Sequence, residues 1–299
     1  MNNNKKVPAT AIPAKAYELY DKYAHGMLNR RDFLTAIGGL ALGTATAASI
    51  LGGLLPNYAL AEQVSFNDPD ITATYQTFPS PEGHGEGRGY LVKPAKTETA
   101  LPTVLVIHEN RGLNPYIEDV ARRLAKAGFI AFAPDALWPL GGYPGNDDDG
   151  RQMQRSMDGQ KIIADLKAAA TWLNKVDGGS GKLGVVGFCF GGAMTGLLAA
   201  ELPDVVDAGV PFYGSPPPAD KIADINAPLL VQLGELDTRV NAMWPEAETL
   251  LQQHNKTFTV HRYPDSHHGF HNDSTARYNK ETAELAWQRT VNFFKQHLG

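Results

Sequence analysis

The stretch Gly187-Phe188-Cys189-Phe190-Gly191-Gly192 holds the only cysteine of the 299-residue chain, and it constrains the architecture more than any other segment. An apolar run, Leu183-Gly184-Val185-Val186, precedes it and reads as a buried strand. Small and then helix-forming residues, Gly191 to Leu202, follow it. A reactive side chain between two glycines, at a junction of strand and helix, is the G-x-C-x-G pattern of a nucleophile elbow. The glycines are needed because the nucleophile's backbone is strained and neighbouring side chains would clash.

The rest of the chain repeats this strand-then-helix order. Ile71 to Phe78 and Gly89 to Lys93 read as early strands, an antiparallel pair. Thr103 to His108 is a continuous apolar strand, followed by a helix from Tyr116 to Ala127 that stops at Gly128. A strand at Phe129 to Ala133 follows. A Gly-, Pro- and Asp-rich loop then spans about 139–150, and one long helix is expected to about Val176. After the elbow come strands at Ala208 to Tyr213, Pro228 to Gly234 and Phe258 to Tyr263, with helices at Asn241 to Gln253 and Thr275 to His297. Strands apolar on both faces and alternating with helices predict a mostly parallel sheet with helices on both faces, an α/β fold. In such sheets the site lies at the carboxyl ends of the strands. A single such domain is expected over residues 62–299.

Residues 1–61 have a different composition. Arg30-Arg31-Asp32-Phe33-Leu34 precedes an apolar run from about Ala36 to Leu55, and Ala59-Leu60-Ala61 is a small-x-small cleavage pattern. These are the parts of an export leader, and the paired arginines resemble a twin-arginine signal. The expected partner is therefore the twin-arginine export machinery, and the expected location is periplasmic or secreted. The alternative is an uncleaved membrane anchor, since about twenty apolar residues just span a bilayer. Removing residues 1–61 takes away six Lys/Arg and three Asp/Glu, so the formal charge of −5 becomes −8. An acidic protein of this kind is not expected to bind nucleic acid. One cysteine forms no internal disulfide, and no Cys cluster or H-E-x-x-H spacing signals a metal, so neither metal nor cofactor is expected.

Three residues that follow strands fall in the order nucleophile, acid, base: Cys189, Asp237 and His268. That is the chain order of α/β-hydrolases. A thiol attacks as thiolate, an imidazole takes its proton, and a carboxylate holds the ring's tautomer. Each member has competitors. Cysteine is frequently plain core, Glu235 competes with Asp237, and His267 and His271 compete with His268. An unpaired thiol outside the cytoplasm is open to oxidation, so a buried thiol, neutral at rest, is expected.

Residues from about 88 to 297 resemble the dienelactone hydrolase family of α/β-hydrolases. The matching stretches are His108-Glu109-Asn110-Arg111-Gly112-Leu113, Ala133-Pro134-Asp135, Gly187 to Gly192, Gly234-x-x-Asp237 and His268-Gly269-Phe270. The resemblance implies hydrolysis of a small-molecule lactone or ester through a thioester at Cys189. It makes His268 the base, and it implies that Glu109 lies near the cysteine and helps form the thiolate. The oxyanion hole is expected from the backbone N–H groups of Phe190 and, by analogy, Asn110. Well-known members grip a substrate carboxylate with two arginines, at places where this chain has the Ala136 to Pro139 stretch and Asn272. Arg111, Arg151 and Arg155 are candidate substitutes, and Trp138, Tyr143, Tyr213 and Phe270 are candidates to line an apolar pocket. A general carboxylesterase, an acyl-peptide hydrolase and a non-catalytic binding protein are the alternatives on this fold.

Overall fold

A computed structural model describes residues 12–40 and 46–299. Eight strands form one sheet: β1 (Ile71–Ser80), β2 (Gly85–Pro94), β3 (Leu101–Ile107), β4 (Ile130–Pro134), β5 (Gly179–Phe188), β6 (Ala208–Phe212), β7 (Leu229–Gly234) and β8 (Phe258–Tyr263). Their spatial order is β1-β2-β4-β3-β5-β6-β7-β8. β1 and β2 pair antiparallel, as expected, and β2 joins β4 antiparallel. All pairings from β4 through to β8 are parallel.

The parallel strands are apolar on both faces because helices cover both. Alternate residues of a strand point to opposite sides, so Val104 and Val106 of β3 join one core cluster, and Leu105 and Ile107 join the other. The first cluster packs under α4 (Pro115–Lys126) and α10 (Lys280–Leu298). The second packs under α6 (Gly159–Leu173), α7 (Phe190–Glu201) and α9 (Trp244–Gln253). The fold class is the one expected.

Several boundaries differ from the sequence expectation. The single helix expected up to Val176 is two, α5 (Asp147–Ser156) and α6, and α5 begins inside the expected loop. Asp158 breaks the run, because its carboxylate accepts from the backbone N–H of Gln160 and caps a new helix. A four-residue helix, α8 (Thr238–Asn241), precedes α9. The last helix starts at Lys280, not Thr275, capped by Asn279, whose side chain accepts from Thr282 N–H.

The N-terminal segment carries α1 (Ala14–Ala24), α2 (Arg30–Gly39) and α3 (Ala47–Leu54). Tyr17, Tyr20, Phe33, Ile37, Ile50 and Leu54 are among the buried side chains of a third apolar cluster. Tyr23 stacks on Phe33 with ring centroids 4.6 Å apart. Arg30 and Arg31 open α2, whose first turn is capped by Asn29 accepting from Asp32 N–H at 2.9 Å. The apolar run expected from Ala36 to Leu55 is divided between the end of α2 and α3, and residues 41–45 lie outside the described residues. Among the described residues, no helix is long and apolar enough to cross a membrane.

Candidate active site

Cys189 stands between β5 and α7 with φ of 57°, a left-handed conformation that costs a side-chain-bearing residue strain. The surroundings hold it there. Its N–H donates to Phe212 O at 3.0 Å, and its carbonyl accepts from Ala193 N–H at 3.1 Å. A Cβ on Gly191 would overlap the carbonyl of Ile107 at the end of β3, and one on Gly187 would overlap the carbonyl of Gly191. Only glycine lets the two strand ends close on the turn this tightly.

Asp237 follows β7 and His268 follows β8, and His268 Nδ1 lies 2.6 Å from Asp237 Oδ2. The other carboxylate oxygen accepts from Val240 N–H at 3.2 Å, which aims the group at the ring. His268 Nε2 is buried without a hydrogen-bond partner and faces Cys189 Sγ. The competitors are placed elsewhere. His267 stacks on Tyr17, with centroids 4.5 Å apart. His271 accepts or donates at 2.6 Å to the Tyr116 hydroxyl, and burial lowers its pKa to about 3, so its ring is neutral core. Glu235 is exposed.

Burial pushes the Cys189 thiol up, but the charges of His268 and His25 outweigh this and bring it well below its ordinary value. Burial likewise disfavours a charged His268, yet Asp237 and Cys189 raise its pKa to about 10. Both shifts favour the charged forms, thiolate and imidazolium, over the neutral pair. The thiol is buried, at 7% exposure, and the two imidazoles that face it act against the neutral resting form expected from the sequence.

The remaining candidates are dispersed. Phe190 opens α7, so its N–H has no partner within the helix. Asn110 follows β3, and its side-chain amide donates to Ala24 O at 2.8 Å. Glu109 is buried; its Oε2 accepts from Asn272 at 3.2 Å and pairs with Arg111 at 3.1 Å, and its Oε1 has no partner. Arg111 is held between Glu109 and Asp147, the latter at 2.7 Å, which leaves its charge already matched. Trp138 and Tyr143 line a separate cavity of about 220 Å³ with Tyr75 and Arg88. Tyr213 and Phe270 are fully buried beside the site, the Tyr213 ring 5.1 Å from His268.

Sequence reasoning missed the element that covers this site. Helix α1 lies over it. His25, just past α1, places Nε2 3.3 Å from Cys189 Sγ. Asp21 accepts from Arg239 Nε at 3.0 Å. Between α1 and the strand ends lies a cavity of about 600 Å³, lined by Tyr17, Asp21, Arg239, His267, His268 and Arg277. The available signal was the spacing of Tyr17, Tyr20 and Ala24, one apolar stripe of a helix. It was obscured because the segment reads as a leader.

An eight-stranded, mostly parallel sheet with a cysteine elbow and an Asp–His pair at its carboxyl edge defines an α/β-hydrolase-like protein. Residues 88–298 match the model of the Dienelactone hydrolase family, and the chain belongs to that family; it is an enzyme, a dienelactone hydrolase-like hydrolase. Residues 4–40 match a second model, described as YqhI-like. The chain is 66% identical over 113 residues to "Putative hydrolase fragment YghX" of Escherichia coli K12, covering 38% of this chain and 97% of the relative. It is 31% identical over 278 residues to "Putative carboxymethylenebutenolidase" of the same strain, covering 86% of this chain and 96% of the relative. Among solved structures, a "Putative Dienelactone Hydrolase" from Klebsiella pneumoniae superposes with a TM-score of 0.65 at 28% identity, covering 75% of this chain and 99% of its own.

Proposed function

We propose that the protein cleaves a lactone or carboxylic ester through a thioester on Cys189. The observation that carries this reading is Cys189 on its elbow, faced by His268 Nε2, with Asp237 Oδ2 2.6 Å from His268 Nδ1. The thiolate attacks the carbonyl carbon, and the N–H groups of Phe190 and Asn110 stabilise the resulting oxyanion. His268 gives its proton to the leaving alkoxide as the tetrahedral intermediate collapses to the thioester. Neutral His268 then takes a proton from water, which attacks the thioester and releases acid and thiolate. Asp237 holds the tautomer throughout. Glu109, with one unpartnered oxygen, is the second carboxylate proposed to help form the thiolate.

The test is turnover of p-nitrophenyl acetate and a panel of lactones, with intact-mass detection of an acyl adduct on Cys189. Cys189→Ala is expected to abolish turnover. Asp237→Asn is expected to lower kcat on the order of 10³–10⁴-fold through loss of the tautomer. Wild-type turnover in Cys189→Ala would overturn the reading. Chain-length preference within the panel separates lactonase from general esterase.

The twin-arginine-like segment is further proposed to direct export to the periplasm or medium, with cleavage after Ala61. The alternative is that residues 1–61 stay attached, and the contact of His25 with Cys189 favours it. The mass of the protein recovered from cell fractions decides between them.

A further inference from the structure

We infer that helix α1 and the cysteine turn together form a binding site for one thiophilic transition-metal ion, Zn²⁺ above others, with Cys189 Sγ, His25 Nε2 and His268 Nε2 as ligands. The three atoms come from residues far apart in sequence, yet they lie within 4.8 Å of one another. In a tetrahedral zinc site with Zn–S near 2.3 Å and Zn–N near 2.0–2.1 Å, neighbouring ligand atoms stand about 3.4–3.6 Å apart. The His25 Nε2 to Sγ separation of 3.3 Å lies just under that spacing.

Both histidines are built as metal ligands usually are. A zinc-bound imidazole gives its other N–H to a carboxylate or carbonyl, which fixes the tautomer and turns the free lone pair to the ion. His268 does so through Nδ1 to Asp237 Oδ2, at 2.6 Å. His25 does so through Nδ1, which lies 2.8 Å from the carbonyl of Asp21 and 3.2 Å from its carboxylate. The two rings meet edge to face, with centroids 4.9 Å apart at 87°, so their Nε2 atoms converge on the sulfur from different directions.

A second, independent observation is that His268 Nε2 is buried and makes no hydrogen bond. The thiol it faces stands outside hydrogen-bond geometry, and an ion between nitrogen and sulfur would bond both. One cation competes: Arg239 Nη2 stands 3.0 Å from His25 Nε2. An incoming ion takes that lone pair, while Arg239 keeps its Nε bond to Asp21 at 3.0 Å. One thiolate and two neutral imidazoles suit a borderline-soft ion, and three protein ligands leave a fourth position open to water. The proton that His268 Nε2 carries as imidazolium, and any still on the thiol, are released to solvent as the N–metal and S–metal bonds form. Bound metal occupies the nucleophile and ties α1 over it, so the ion holds the hydrolase closed. The site exists only in a chain that retains His25.

The experiment uses the full chain, stripped with a chelator and titrated with Zn²⁺ by calorimetry and with Co²⁺ by absorption spectroscopy. One ion per chain is expected, with a near-ultraviolet thiolate-to-cobalt band and the visible bands of four-coordinate cobalt. Cys189→Ser should remove the thiolate band. His25→Ala should weaken binding at least about tenfold, and Asp21→Asn about 10–100-fold as loss of an outer partner. Circular dichroism checks that each variant is folded. Absence of stoichiometric binding, cobalt binding without a thiolate band, or wild-type affinity in His25→Ala overturns the inference. Ester turnover by the stripped protein reads the proposed activity separately. A stripped protein that is inert but binds cobalt contradicts only the hydrolase mechanism; one that is active but binds no metal contradicts only this site.

Discussion

At Cys189, backbone and side chain are set by different neighbours. The backbone is held left-handed by Phe212 and by the glycines at 187 and 191. Gly191→Ala should therefore destabilise the protein by about 1–3 kcal/mol or more through overlap with the Ile107 carbonyl, read as a drop in thermal midpoint; an unchanged midpoint would show that the turn has slack. The side chain's charge is set by His268 and His25. A free thiol loses alkylation rate about tenfold per pH unit below its pKa of roughly 8.5. Cys189, whose pKa is lowered by the two imidazoles, should lose iodoacetamide rate less steeply than a free thiol between pH 8 and pH 6. A tenfold fall per unit over that range would place a neutral thiol in the site. At this scale the turn glycines and the order Cys189, Asp237, His268 were legible in the sequence. The choice of His268 over His267 and His271 rested there on family resemblance; three-dimensional neighbours now support it, because Tyr17 takes His267 and Tyr116 takes His271.

At the scale of elements, α1 sits where a substrate has to approach. Tyr17 covers His267, Asp21 engages Arg239, and the carbonyl of Ala24 accepts from the Asn110 side chain. Arg277 also lies over Tyr20 and Arg155 donates to the Ala24 carbonyl; α1 is thus held by polar and ring contacts outside the two clusters of the sheet, and elements of that kind open at lower free-energy cost than core strands. The double variant Tyr17→Ala, Asp21→Ala should therefore loosen α1 and raise the alkylation rate of Cys189 by a bulky maleimide several-fold. An unchanged rate would mean that α1 does not limit access. The strands were legible because their apolar runs are continuous. The break between α5 and α6 was not, since Met157-Asp158 interrupts no hydrophobic pattern and acts through a cap, a local hydrogen bond rather than a change in composition.

For the whole molecule, buried titratable groups bound the pH range of stability. His271 has a folded pKa of about 3 against an ordinary value of 6.5. A depressed value means that its contribution is complete above about pH 6.5 and is lost as pH falls toward 3. His268, raised to about 10, contributes fully below pH 6.5 and loses that contribution as pH rises toward 10. Stability should be greatest near neutrality. His271→Gln should flatten the acid limb of the thermal midpoint against pH; an acid limb as steep as that of the wild type would mean that other groups set it.

The periodicity of apolar residues determined the α/β sheet, because burial on both faces of a strand and on one face of a helix leaves its mark in local order. The glycine-flanked cysteine and the residues after β7 and β8 pointed to the candidate site, because parallel sheets bring strand ends to one edge. The tertiary structure alone decided which side chains meet there. Arg111 is neutralised by two carboxylates, Trp138 and Tyr143 face another cavity, and His25 reaches the thiol from 164 residues away. Contacts of that kind depend on how separate elements pack, and no local pattern in a chain encodes where a distant helix will come to rest.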